Sequence, residues 1–445
     1  MRRSLAIAGA ALAACAAVGT PLHAQGSSVD QHSACMTGRV GTGVASPCDD
    51  ASAVYFGPAA LAMQPSAVSA GVSLIHSSST FRYNAFSAPP GTTVEREPET
   101  IPVPAGFANF RVNPRLAVGI GVFAPYGLGL EWPVCDVETP TAQCTGENFE
   151  GRYTGYDNSI RNIYIQPTVA FQVIPGRFSV GAGLDYVRST IEVHQRVDFP
   201  PLGLRGTDVA DAALEGEGTG FTGHLGAMFQ LTPRTWIAAR YLHSLKVDMD
   251  GDADFTQIST GTPGVDAVLA PGFAEGQQLS DQGISTEIEL PSQFVIGLSH
   301  KPIDRLNLMF DYQFTEWSNF DQFDIVFAET GDTTVLGLGY QDTNTFRFGA
   351  EYGFNDALTL RAGFRYNNAA TPRATPFLPE GERNYYTAGI GYRFTPGLSL
   401  DFGYQFIHQP DREGAVRPNA PIAGTYGAKG QIFAFTLAYR FGGGQ

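Results

Sequence analysis

Six short turns punctuate this chain: Asn113–Pro114–Arg115, Pro175–Gly176–Arg177, Thr232–Pro233–Arg234, Lys301–Pro302–Ile303–Asp304, Asn355–Asp356 and Thr395–Pro396–Gly397. On both sides of each turn, bulky apolar residues alternate with small or polar ones. A period of two marks β-strands with one greasy face. Between one short turn and the next lies a long, loop-like stretch. Short turns at one rim and long loops at the other describe a closed antiparallel barrel in a bacterial outer membrane. The last strand states the pattern most plainly. Phe433, Phe435, Leu437, Tyr439 and Phe441 share one face, and Ile432, Ala434, Thr436, Ala438 and Arg440 the other. Residues 398–406 and 358–366 repeat it.

Fourteen such segments are predicted, near 67–83, 103–112, 115–127, 159–174, 178–194, 220–231, 235–250, 286–300, 305–327, 341–354, 357–367, 384–394, 398–408 and 430–441. An even number lets the first and last strands pair antiparallel and leaves no free edge. No segment after the N-terminus supplies the roughly 20 apolar residues of a membrane helix. In hydrocarbon every backbone polar group needs an internal partner, which leaves the closed barrel. The expected fold is all-β: a 14-stranded antiparallel transmembrane β-barrel over 67–441, with a tail at 442–445.

The N-terminus reads as a secretory signal: Arg2 and Arg3, an apolar run from Leu5 to Val18, and Leu22–His23–Ala24 before a cut ahead of Gln25. The competing lipoprotein-like cut, Leu12–Ala13–Ala14–Cys15, leaves 16–24 without a purpose. The formal charge of −15 becomes about −17 once residues 1–24, with two arginines and no acid, are removed. That acidity argues against nucleic-acid partners. Acidic runs such as Asp248 to Asp254 are expected in the long loops, solvated or bridged to lipopolysaccharide through divalent cations. Of the four cysteines after the cut, Cys35 with Cys48 and Cys135 with Cys144 is the simplest of three possible pairings. No histidine sits at ligand spacing from either pair, so no metal is expected.

A barrel of fourteen strands encloses more than its own side chains. Residues 25–66 precede the first strand and are the candidate for a plug inside the lumen. Five blocks then carry a likeness: Asp49–Ala59, Leu116–Gly119 running to Tyr126–Leu128, Leu290–Phe294, Glu316–Phe320 and Thr359–Tyr366. In these, and over nearly all of the chain after the signal, the sequence resembles the FadL family of outer-membrane transporters of hydrophobic compounds, which includes long-chain fatty acid and aromatic hydrocarbon channels. The plug segment of that family usually carries Asn-Pro-Ala. Here Phe56, Gly57, Pro58 and Ala59 stand there, with Gly57 in place of the asparagine.

The resemblance implies capture of a hydrophobic ligand between extracellular loops, passage to a luminal pocket against the plug, and sideways exit at a kinked third strand. It implies no cofactor and no ATP. The implied partners are a long-chain fatty acid or other hydrophobic small molecule, outer-membrane lipid and lipopolysaccharide, and the barrel-assembly machinery that inserts such chains; a monomer is expected. The residues support the kink independently. Ala124, Pro125, Tyr126 and Gly127 lie in the third strand, where proline cannot donate to a ladder. Apolar residues in the predicted loops 195–219 and 251–285, among them Phe199, Leu202, Leu204 and Phe273, are groove candidates. Arg188, His194 and Arg196 are the candidate cations for a carboxylate; if none faces the pocket, an uncharged ligand is favoured. Inward charges including Asp185, Arg240, Asp311, Arg347, Arg361, Arg365 and Asp401 are expected to pair with one another and the plug. No nucleophile–base constellation is present, so no enzyme is expected. The alternatives are a hydrocarbon channel, or a sealed barrel serving as adhesin or phage receptor.

Overall fold

A computed structural model describes residues 28–85, 91–96, 98–134, 149–320, 322–337, 339–417 and 420–441. The signal segment, Cys135, Cys144 and the tail at 442–445 lie outside them. Fourteen antiparallel strands close into one barrel. They are β1 (Ser66–Tyr83), β2 (Glu99–Arg111), β3 (Leu116–Glu131), β4 (Asp157–Ile174), β5 (Phe178–Val197) and β6 (Ala210–Thr232). Next come β7 (Thr235–Leu242 and Leu245–Gln257), β8 (Gln282–Leu290 and Gln293–Ile303), β9 (Leu306–Thr315 and Gln322–Phe327) and β10 (Thr333–Gly337 and Thr343–Gly353), each interrupted once. β11 (Leu358–Asn367), β12 (Arg383–Arg393), β13 (Leu398–Gly414) and β14 (Gly424–Phe441) complete the wall. A short strand, Thr93–Glu95, folds back on β1. β1 pairs β14 from Ser66↔Phe441 to Tyr83↔Gly424, so the sheet has no edge. All six predicted turns are present.

The outward face of the lower wall is a greasy band. Leu184, Phe221, Leu225, Phe348 and Leu437 stand there, each more than half exposed. A water-soluble protein rarely offers so large an apolar surface; here its solvent is lipid. The strands also run further up than expected. β6 has 23 residues, where about ten cross a bilayer. Residues 210–219, expected in a loop, are strand. Asp248, Asp250, Asp252 and Asp254 are likewise not in a loop, since they form the outward face of β7. Above the membrane the outer face meets water, so acids replace the greasy residues while the inner face stays apolar.

Residues 28–65 lie inside the barrel. Helix α1 (Ala34–Gly38) and helix α2 (Ala53–Phe56) are wholly buried, as is nearly all of a 3-10 turn at Pro58–Met63. Cys35 and Cys48 form the expected disulfide. The inner wall meets this segment with bare backbone. A Cβ on Gly389 would sit 2.8 Å from the Gly38 Cα, and one on Gly403 2.5 Å from the Ala34 carbonyl oxygen. Gly349 and Gly363 leave room for Thr42 and Val40 in the same way. On the opposite side Pro58 and Ala59 rest on Gly181 of β5 and Gly226 of β6.

Candidate functional site

Charge fixes the luminal segment to the wall. Asp30 accepts from Arg347 at 2.6 Å and from Arg365 at 2.7 Å. Asp311 of β9 accepts from the amides of Gly43 and Val44. Arg240 of β7 donates to the Tyr55 carbonyl and to Gln293, and its guanidinium lies 4.3 Å from the Tyr55 ring centre. Burial pushes the Asp30 carboxyl up, but Arg347, Arg365 and Arg240 together outweigh it and hold it well below the usual carboxylate range. Burial pushes the His32 imidazole down to about 4, against the opposing pull of Asp30. Both His32 ring nitrogens lack a hydrogen-bond partner among the described residues.

Above this floor the lumen has two faces. In the upper part of β4 to β9 the inward side chains are largely apolar: Ile160, Val187, Ile191, Val247, Ile288 and Phe323 are all buried in one cluster. From β10 through β13 they are polar or charged, as with Thr345, Arg365, Arg383 and Gln405. The two faces meet at Trp317, which belongs to the apolar cluster and also lines a polar cavity of about 30 Å³. Gln313, Thr315, Thr343, Arg365, Asn367, Arg383 and Glu380 surround that cavity, with Glu380 paired to Arg383. It has room for about two waters, or for one carboxyl group. The Arg365 Nε is buried without a partner among the described residues. At the mouth, Leu214, Phe255, Leu279, Ile325 and Phe327 line an apolar cavity of about 150 Å³. A third cavity, about 210 Å³, opens at the turn end below the disulfide. Its lining is charged, with Arg39, Arg361, Arg393, Glu351 and Asp401 among it.

The third strand carries the predicted irregularity. Phe123 pairs Tyr164 and Tyr126 pairs Asn162, so Ala124 and Pro125 together oppose one residue of β4. Such a bulge reverses which face later side chains occupy. Tyr126 and Leu130 therefore turn inward, and Gly127 is buried with them. β2 pairs β3 only between Gly106↔Val122 and Arg111↔Ala117. Higher up the two strands share no described ladder, although β1 follows β2 to Glu99 and β4 follows β3 to Glu131. Val29 fills part of this gap by donating to the Pro125 carbonyl at 2.8 Å. Arg96 spans it higher up, between Ser77 and the Gly129 carbonyl. Aromatic rings line the opening: Phe123 stacks on Phe107 and Tyr164, and touches Tyr55 and His32.

Among the predicted luminal residues, Phe56 packs on Tyr55, and Gly57 is extended, with a Cβ there only 2.8 Å from the Val44 oxygen. A side chain at 57 does not fit this arrangement. The predicted groove residues do not converge. Phe199 and Leu204 bridge to each other, Leu202 is exposed, and Phe273 ends a separate turn over β7. None of the four lines the mouth cavity, which takes Leu214, Phe255 and Leu279 from the same predicted loops. The three candidate cations do not face the lumen. Arg188 is on the outward face, exposed and paired with Glu217. Arg196 is tied to Asp211 and lies over the Tyr156 ring, beside His194. Arg240, Arg365 and Arg383 are among the cations that do face it. Asp30, the counter-charge of Arg347 and Arg365, carries no sequence signal beyond the unpaired arginines that need it.

The profile of a family described as "Outer membrane protein transport protein (OMPP1/FadL/TodX)" matches residues 14–441. The chain belongs to this family. It is an outer-membrane protein of the Gram-negative envelope. It is 24% identical over 420 residues to the "47 kDa outer membrane protein" of Pasteurella multocida (strain Pm70), covering 91% of each chain. It is 22% identical over 318 residues to the "Long-chain fatty acid transport protein" of Escherichia coli O6:H1, covering 67% of each. The solved structure of a Pseudomonas aeruginosa FadL homologue aligns with a TM-score of 0.79 at 23% identity, over 94% of this chain and all of that one.

Proposed function

We propose that this FadL-family protein admits long-chain fatty acids or similar amphiphiles by diffusion and releases them sideways between β2 and β3. The observation that carries this reading is the meeting of two luminal surfaces at Trp317. An alkyl chain lying on the apolar face of β4 to β9 can place a carboxyl group in the cavity beside Arg365 and Arg383. Asp30 alone is shared between Arg347 and Arg365, Glu380 pairs with Arg383 at the cavity, and Arg240 makes no ion pair among the described residues. That surplus of positive charge suits an anionic head group. The mouth cavity at Leu214 and Phe327 serves as the first stop. The segment 28–65, including Phe56 to Ala59, plugs the lumen.

The exit at Ala124, Pro125, Tyr126 and Gly127 follows from the two ends of the path. Straight through lies the charged cavity around Arg361 and Asp401, which repels an alkyl chain. Sideways lies the unpaired stretch above Val122, lined by Phe107 and Phe123 and opening towards lipid. One specific observation favours an alternative cargo. Ring faces dominate this exit, and an aromatic hydrocarbon would need no head-group cavity. Uptake of radiolabelled oleate and of toluene by a deletion strain, with and without the gene, separates the readings. Gene-dependent oleate entry supports the first. Gene-dependent toluene entry alone supports the second, and neither overturns both.

A further inference from the structure

Four interrupted strands stand side by side in the wall. Leu290 pairs Leu245 and Gln293 pairs Leu242, so Pro291 and Ser292 oppose His243 and Ser244, and all four lie outside the ladder. Buried carbonyls released in this way need donors. Thr222 donates to His243 and Ser244, and the Glu316 amide donates to Ser292. The carbonyl of Pro291 is taken from across the lumen: the Tyr126 hydroxyl donates to it at 2.7 Å. Tyr126 belongs to β3 and Pro291 to β8, with four strands between them on the shorter way round. The side chain is 2% exposed, and its ring meets Trp317 edge-on at 5.8 Å.

We propose that Tyr126 is a latch across the lumen, closed by this bond, and that opening it is the step that passes cargo from the upper lumen to the gap above Val122. The bulge at Ala124 and Pro125 turns Tyr126 inward, and the interruption at Pro291 supplies the catch. One irregularity in the wall is therefore keyed to another on the far side. A ligand lying against Trp317 must displace the Tyr126 ring to move on. This deepens the transport reading above and rests on it for the cargo, though not for the bond.

The test compares the full-length protein with Tyr126→Phe, which keeps the ring and removes the donor, and with 4-aminophenylalanine at 126, which restores one. Folding is scored by heat-modifiable gel migration. O-methyltyrosine replaces Phe if Phe does not fold. Two readouts are taken: the initial rate of radiolabelled oleate uptake in the deletion strain, and acrylamide quenching of Trp317 in a Trp132→Phe, Trp236→Phe background. The donor-less variant is expected to raise uptake about threefold to tenfold, as loss of one hydrogen bond allows. It is also expected to quench Trp317 about twice as readily, with the amino variant returning both to wild type. Unchanged quenching and unchanged or lower uptake, or no rescue by the amino group, overturns the latch. Quenching is independent of cargo. Wild-type protein that admits no oleate, with increased quenching in the Phe variant, sinks the transport reading and leaves the latch standing.

Discussion

The two faces of the lumen differ in what they touch, and that difference explains their chemistry. The upper part of the face from β4 to β9 is apolar, with Val187, Val247 and Ile288 in one buried cluster, while lower down Pro58 and Ala59 rest on Gly181 and Gly226 and Arg240 holds Tyr55. The face from β10 to β13 carries Arg347 and Arg365 because it grips the luminal segment through Asp30 and through α1 seated on Gly389 and Gly403. On the transport reading proposed above, the upper part of the first face is the surface for cargo and the second face is the seat of α1, with Trp317 at the border. The teaching is that a single alternating sheet can separate these tasks by strand rather than by domain.

The contrast can be broken at its strongest point first. Asp30→Ala strips Arg347 and Arg365 of their counter-charge. Loss of one partner from a buried pair costs about 3–5 kcal/mol, and the luminal segment is expected to leave its seat. Steady ion conductance in planar bilayers, absent from the wild type, checks this; a sealed variant contradicts the division of tasks. Acid acts next. His32 is held near 4 in the folded state against about 6.5 when unfolded. The unfolded state therefore binds more protons between these values, and stability falls as pH drops from 6.5 towards 4. At about 1.4 kcal/mol per unit the loss reaches roughly 3 kcal/mol. Thermal unfolding in detergent across this window should show the fall, and His32→Phe should flatten it.

Two smaller changes sharpen the comparison. Arg383→Met removes a cation from the head-group cavity while keeping length. Oleate affinity is expected to fall about tenfold, or 1.4 kcal/mol, with hexadecane entry unchanged; equal loss of both places Arg383 outside recognition. Val187→Thr puts a hydroxyl on the apolar face at nearly constant volume. Its cost is about 1–2 kcal/mol for a polar group with no partner, read as a several-fold slower entry of both cargoes. A drop for oleate alone would assign that face to the head group instead.

How far the sequence disclosed this follows the solvent on each side of a strand. Where lipid lies outside, as at Leu437 and Phe435, bulky residues alternate and all fourteen strands were legible. Above the bilayer water lies outside and an apolar lumen inside, so β7 reads Val247, Asp248, Met249, Asp250, and its upper part passes for an acidic loop. The kink was legible because proline and glycine announce themselves; that its bulge turns Tyr126 inward was not, because parity after a bulge depends on the partner strand. Arg188 and His194 failed as luminal cations for the same reason, being on the even, outward side of β5. Arg365 was visible as an inward charge, but only Asp30, 335 residues away in sequence, reveals that it is half compensated.

The glycines at 349, 363, 389 and 403 have a consequence of their own. Where two bodies meet through interlocking side chains, displacement must first unpick every knob from its hole. On the side of these glycines the two meet along a smooth track, while on the far side Tyr55 and His32 interlock with Phe123 and Arg240. Once Asp30 is released, little side-chain repacking on the glycine side opposes a shift. Substitution of any one glycine should then jam or unseat the inner body, even though none of the four touches the passenger.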